Sequence, residues 1–143
     1  MVVLVDANVI LDVLQERQPF LADSERILRL CAERTVTGVI AAHTIPTMFY
    51  VLRKFYPQDE LRAALLNVCG IFVVSPLTAD KITAALKNNA FTDFEDNLQE
   101  ECAVERTAAC IITRNPKDFK NARIPALLPD DFLKQLEKSQ QSM

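Results

Sequence analysis

The residues of this chain whose types and spacing carry chemistry are Asp93-Phe94-Glu95-Asp96, the segment Thr113-Arg114-Asn115-Pro116-Lys117-Asp118-Phe119 about one helix later, and a lone Asp6 that ends the first apolar run. Acidic side chains collected at the ends of buried strands and at a helix start repel one another and raise one another's pKa unless a cation offsets them. A divalent metal provides that offset, and a metal held by carboxylates is suited to cleaving phosphodiesters. Asp93 and Asp96 stand three apart, so both project from one face of a first helical turn. Asp6 and the 113–115 segment each follow an apolar run, and ligands of open parallel sheets lie beyond such strand ends.

Each of these residues also has a structural explanation. Thr92-Asp93-Phe94-Glu95 reads as a capping box, and acids there favour the helix dipole. Asp6 is placed to cap the helix after the first strand, and Asp118 to cap a turn before Phe119. Asp96 lies one step deeper, where capping does not need it. The functional signal is therefore joint placement, not any one residue. Glu100, Glu101 and Glu105 read as a solvated helix face, and the basic pair Arg53 and Lys54 as either a phosphate contact or a helix end matched to its dipole. The single His43 is too little imidazole for a zinc site or a histidine relay, and it reads as a capping or solvent-facing group.

The elements that position these groups alternate along the chain. Continuous apolar runs at 1–5, 37–42, 71–75, 109–113 and 125–128 suit strands buried on both faces. Segments 8–16, 20–33, 44–55, 58–68, 78–87, 94–107 and 129–138 carry apolar residues near the helical period. Pro57, Gly70, Pro76 and Pro116 fall between them as breakers. Alternating strands and helices imply right-handed crossovers and an α/β fold with a mainly parallel sheet covered on both faces.

At 143 residues, half of them apolar, the chain is expected to form one domain over 1–138 followed by a polar tail at 139–143. The first ten residues contain Asp6 and lack a basic start, so neither a signal peptide nor a spanning helix is expected, and no membrane association. Cys31, Cys69, Cys102 and Cys110 show no metal-ligand spacing and sit in apolar segments, which reads as four reduced, buried thiols and a cytoplasmic protein. With only two glycines, Gly38 and Gly70, a dinucleotide fingerprint and a phosphate-cradling loop are both excluded. The net charge of -3 argues against a general nucleic-acid coating surface, yet a loaded acidic metal site is locally electropositive. Phe49, Tyr50, Phe55 and Tyr56 form an aromatic cluster that reads first as core and alternatively as a groove for a dimer mate or an inhibitory peptide.

Val3-Leu4-Val5-Asp6-Ala7-Asn8-Val9-Ile10-Leu11-Asp12, Asp93-Phe94-Glu95-Asp96-Asn97-Leu98-Gln99 and Ile111-Ile112-Thr113-Arg114-Asn115-Pro116-Lys117-Asp118-Phe119, with a closing Leu128-Pro129-Asp130-Asp131-Phe132-Leu133, resemble the PIN-domain family in the right order over essentially the whole chain. The resemblance implies a three-layer α/β/α sandwich around a five-stranded sheet of order 3-2-1-4-5. It also implies a magnesium- or manganese-dependent ribonuclease, many members being toxins of toxin-antitoxin pairs, and hence an RNA substrate and an antitoxin partner. It assigns Asp6 and Asp96 as metal carboxylates, Asp93 and Asp118 as their acidic companions, Asn8 as a residue orienting Asp6, and Thr113 and Asn115 as supporting groups. Arg114 falls where it can meet a substrate phosphate, with an outward salt bridge as the alternative. The family's usual glutamate on the helix after the second strand is missing, and Thr47 stands near its position. A hydroxyl is a weaker ligand for a hard cation, so a non-cutting domain that binds RNA or a protein is the second reading. A phospho-accepting receiver domain fits poorly, because Ala7 follows Asp6 and the third strand ends in Ser75-Pro76 without an acceptor aspartate.

Overall fold

The computed structural model describes residues 1–90 and 93–141. Five strands form one parallel sheet: β1 Val2–Val5, β2 Thr37–Ala41, β3 Val73–Ser75, β4 Cys110–Ile112 and β5 Ala126–Leu127. Their order is β3-β2-β1-β4-β5, every neighbouring pair parallel, as the resemblance implied. Val3 pairs with Gly38 on one side and Cys110 on the other, so β1 is central and its carboxyl end lies beside that of β4.

Side chains alternate across a strand, and in β1 this divides the core. Val3 and Val5 face one layer, built by α1 Ala7–Leu14, α2 Leu21–Ala32, α3 Thr44–Leu52, α4 Gln58–Ile71 and α7 Pro129–Gln141. Leu4 faces the other, where Cys102 and Ala103 of α6 Phe94–Glu105 and Phe119 of a short 3-10 turn, Pro116–Phe119, close the core. The helix α5 Ala79–Lys87 packs on α6. The sandwich therefore has three layers, with β1 fully covered on both faces.

Several expectations are corrected at element ends. The helix α4 runs through Gly70 to Ile71, so β3 begins at Val73 rather than at residue 71. The reason is a cap from elsewhere: the Arg34 guanidinium donates to the Ile71 and Gly70 carbonyls at 2.9 and 3.0 Å, satisfying acceptors that a helix end leaves open. The helix α3 stops at Leu52, short of residue 55, and α7 continues past Lys138 to Gln141. The aromatic cluster is not core throughout: Tyr50 and Phe55 are 62% and 64% exposed, while Phe49 and Tyr56 pack at the edge of the larger core. Cys69 is exposed, unlike Cys31, Cys102 and Cys110, because it lies on the outer side of α4.

Of the three glutamates expected on a solvated face of α6, Glu105 is exposed, whereas Glu100 and Glu101 are not. Glu100 is wholly buried, its carboxylate accepting the Arg123 backbone N–H at 2.7 Å and guanidinium at 2.9 Å. Glu101 pairs with the same guanidinium at 2.6 Å, and Glu105 pairs with Lys81 at 2.8 Å. These acids fasten α6 to the segment before β5 and to α5. A buried carboxylate is tolerated only with such partners.

Candidate active site

The carboxyl ends of β1 and β4 meet the start of α6 in one cleft. Asp6 directly follows β1, and its backbone N–H donates to the Ile112 carbonyl at 3.0 Å, which locks the two strand ends together. One carboxylate oxygen, Oδ2, accepts the Thr113 hydroxyl at 2.8 Å and the Asn8 amide at 3.3 Å. The other, Oδ1, accepts the Gln99 amide at 3.3 Å. The Asp6 side chain is thus held from three elements at once.

The same Gln99 nitrogen also donates to Asp96 Oδ1 at 3.4 Å, so the two carboxylates face one shared atom. Asp93 is the N-cap of α6, its Oδ1 accepting the Asp96 N–H at 2.9 Å. The capping box assigned to Thr92 lies outside the described residues. Asp6, Asp93, Glu95, Asp96, Gln99, His43, Thr44 and Thr47 line a small cleft of about 90 Å³. Thr47 lines the same cleft as the two aspartates. His43 stands at the N-cap of α3, as expected, but its side chain makes no cap bond; the ring is half-buried and lines the cleft with the acids.

The groups following β4 split between two places. Thr113 is fully buried, and its hydroxyl also accepts the Asn115 N–H at 3.0 Å. Asp118, exposed on the 3-10 turn, does not line the cleft, but its charge reaches both Asp6 and Asp96. Asn115 lines a neighbouring cleft of about 470 Å³ with Phe20, Asp23 and Asp130. Arg114 makes a salt bridge, and it points inward: Nε lies 2.7 Å from Oδ2 of the fully buried Asp12, and the guanidinium stacks on the Phe20 ring at 4.1 Å. The Arg114 backbone N–H donates to Asn8 Oδ1 at 3.2 Å, linking this network to Asp6.

Electrostatics follow from this crowding. Burial pushes the Asp6 carboxyl up, against the lowering effect of its hydrogen bonds from Thr113 and Gln99. Asp96 is pushed up to about 7, first by burial and then by the charges of Asp93, Asp6 and Asp118. His43 is lowered by burial, although Glu95, Asp6 and Asp93 pull it the other way.

The donor set fits a hard divalent cation that keeps most of its water. Magnesium takes only one or two protein carboxylates, and Asp6 and Asp96 are two that already converge on one N–H donor standing where a cation would. A closed structural metal site does not fit: among the described residues no three His, Cys, Asp or Glu side chains come close enough together to hold an ion.

Sequence reasoning missed Gln99 and Asp12. Gln99 carries no spacing signal until α6 is known to cross the ends of β1 and β4. Asp12 is an acid within an apolar helical stripe, a pattern that called for a buried partner, but the partner Arg114 is distant in the chain.

Comparison with known proteins agrees with this fold. The PIN domain family matches residues 2–117. Over 134 residues the chain is 27% identical to Ribonuclease VapC1 of Aquifex aeolicus, covering 91% of this chain and 92% of that one. In fold it is similar to VapBC2 from Rickettsia felis bound to a DNA fragment from its promoter, with a TM-score of 0.69 at 15% identity over 90% of this chain and 98% of that one. It is also similar to a toxin-antitoxin complex from Klebsiella pneumoniae, with a TM-score of 0.66 at 22% identity over 89% and 97%.

Proposed function

The chain belongs to the PIN-domain family, and from that membership we propose that it is a divalent-metal-dependent endoribonuclease acting as the toxin of a toxin-antitoxin pair. The observation that carries the proposal is the convergence of Asp6 and Asp96 on one point between the ends of β1, β4 and α6. The ribonuclease relative and the toxin-antitoxin neighbours support the substrate class and the antitoxin partner.

Asp6 and Asp96 would hold a magnesium or manganese ion, which when bound would supply charge neutralisation at the scissile phosphate and activation of the attacking water. Thr113 and Asn8 fix Asp6 in its rotamer, leaving Oδ1 directed at the cleft. Asp93, exposed on the cleft wall, would orient water there, and Asp118, outside the cleft, would act through its charge on Asp6 and Asp96. Arg114, held by Asp12, and Asn115 line the neighbouring cleft, which is assigned to the RNA backbone.

The test is cleavage of single-stranded RNA with and without manganese. Asp6→Asn and Asp96→Asn each abolish metal-dependent cleavage while the circular dichroism spectrum stays that of the parent. Cleavage retained by both variants, in preparations shown free of contaminating nuclease, contradicts the proposal.

Thr47 favours a second reading, a domain that binds RNA or a protein without cutting. It places a neutral hydroxyl on the wall of the cleft that the aspartates line. Under that reading the parent protein binds RNA in a gel-shift experiment, leaves it intact at saturating manganese, and does so equally well as Asp96→Asn.

A further inference from the structure

Gln99 is almost wholly buried, at 4% exposure, and it is the residue through which Asp6 and Asp96 meet. Its amide nitrogen serves both carboxylates. Its amide oxygen, Oε1, is buried with no hydrogen-bond partner among the described residues. Exchanging the two amide atoms would turn an oxygen toward two carboxylate oxygens, so the nitrogen-inward orientation is the one electrostatics selects for the ion-free site. An orphaned buried carbonyl oxygen leaves its desolvation cost standing. Native structures retain such an atom where a ligand or water completes it.

The orphan oxygen matters because the cleft lacks a donor. Thr47 puts a neutral hydroxyl on the wall of this cleft, and among the described residues no three acidic or imidazole groups come close enough together to hold an ion. A neutral amide oxygen is a normal donor to a hard cation or to the water around it. From these observations we propose that Gln99 is a two-state positioning residue of the metal site: its N–H group stands in for the cation between Asp6 and Asp96 when the site is empty of metal, and its Oε1 turns to the ion or its water when metal enters. The inference rests on the metal-dependent reading above. It adds that the exchange of one amide edge for the other is what makes a two-carboxylate site sufficient.

Manganese binding to the intact protein, followed by isothermal titration calorimetry without RNA, tests this directly. The variants are Gln99→Met, which keeps volume but removes both polar atoms, and Gln99→Glu, which places a carboxylate oxygen in the same position. Far-ultraviolet circular dichroism of each variant checks that it is folded. Removing a group that supports a metal site costs about 10–100-fold in affinity. Gln99→Met is expected to weaken manganese binding by that range, and Gln99→Glu to bind at least as tightly as the parent. Unchanged affinity in Gln99→Met overturns the proposal, and so does tighter binding, which would make the amide a competitor of the ion only. Should Gln99→Met fail to fold, Gln99→Glu decides: binding weaker than the parent overturns the proposal. If the parent itself binds no manganese while folded, the metal-dependent reading falls and this inference falls with it.

Discussion

Asp96 carries the clearest pH signature of the site. Its carboxyl titrates at about 7 in the fold against an ordinary 3.8, so between those values the folded protein holds a proton that the unfolded chain releases. Stability then falls as pH rises across that window: the contribution is fully present below 3.8 and is lost through about 7. Thermal unfolding without metal is expected to show a melting temperature that declines from about pH 5 to pH 8 more steeply in the parent than in Asp96→Asn. Equal slopes would mean that the carboxylates are not crowded as described. The acids were visible in the sequence through their joint placement at strand ends and a helix start, since each one alone also fits a cap or the helix dipole. Gln99 and Asp12 were not, since a neutral amide and an acid on an apolar stripe acquire meaning only from partners contributed by distant segments. His43 was only half legible for the same reason: it does stand at the start of α3, but its ring shares the cleft with acids of α6 that come from far along the chain.

The two glycines separate what an element's own sequence determines from what its neighbours determine. Gly38 lies in β2 where α2 and the end of α4 press closest: a Cβ added there would come within 2.6 Å of Cys31 Sγ and 2.7 Å of the Phe72 ring. Gly70 lies in α4 with nothing within 4 Å of an added Cβ. Gly38→Ala is therefore expected to destabilise by about 1–3 kcal/mol through overpacking. Gly70→Ala is expected to stabilise by about 0.5–1 kcal/mol, the usual penalty of glycine inside a helix. Urea unfolding of both variants measures this, and shifts of the same sign contradict the packing described. The strands were legible because runs such as Val2–Val5 are continuous and β-branched. The boundary between α4 and β3 was not, since Gly70 reads as a breaker until Arg34 is seen to cap the carbonyls beyond it.

At the scale of the molecule, the order β3-β2-β1-β4-β5 is what makes a site out of separate segments. It sets β1 beside β4, so that Asp6 meets Thr113, and lays α6 across both strand ends, so that Gln99 and Asp96 reach Asp6. The topology was readable from the alternation of strands and helices together with the family resemblance, whereas the exposure of Tyr50 and Phe55 was not, because an aromatic residue in an apolar helix looks the same in a core and on an unpartnered face. No helix among the described residues is long and apolar enough to cross a membrane. The central claim is that this topology gathers negative oxygens into a pocket made for a doubly charged ion. Anomalous diffraction from a crystal soaked in manganese tests it most directly: the account predicts a peak in contact with both Asp6 and Asp96, and a featureless cleft at saturating manganese would contradict it.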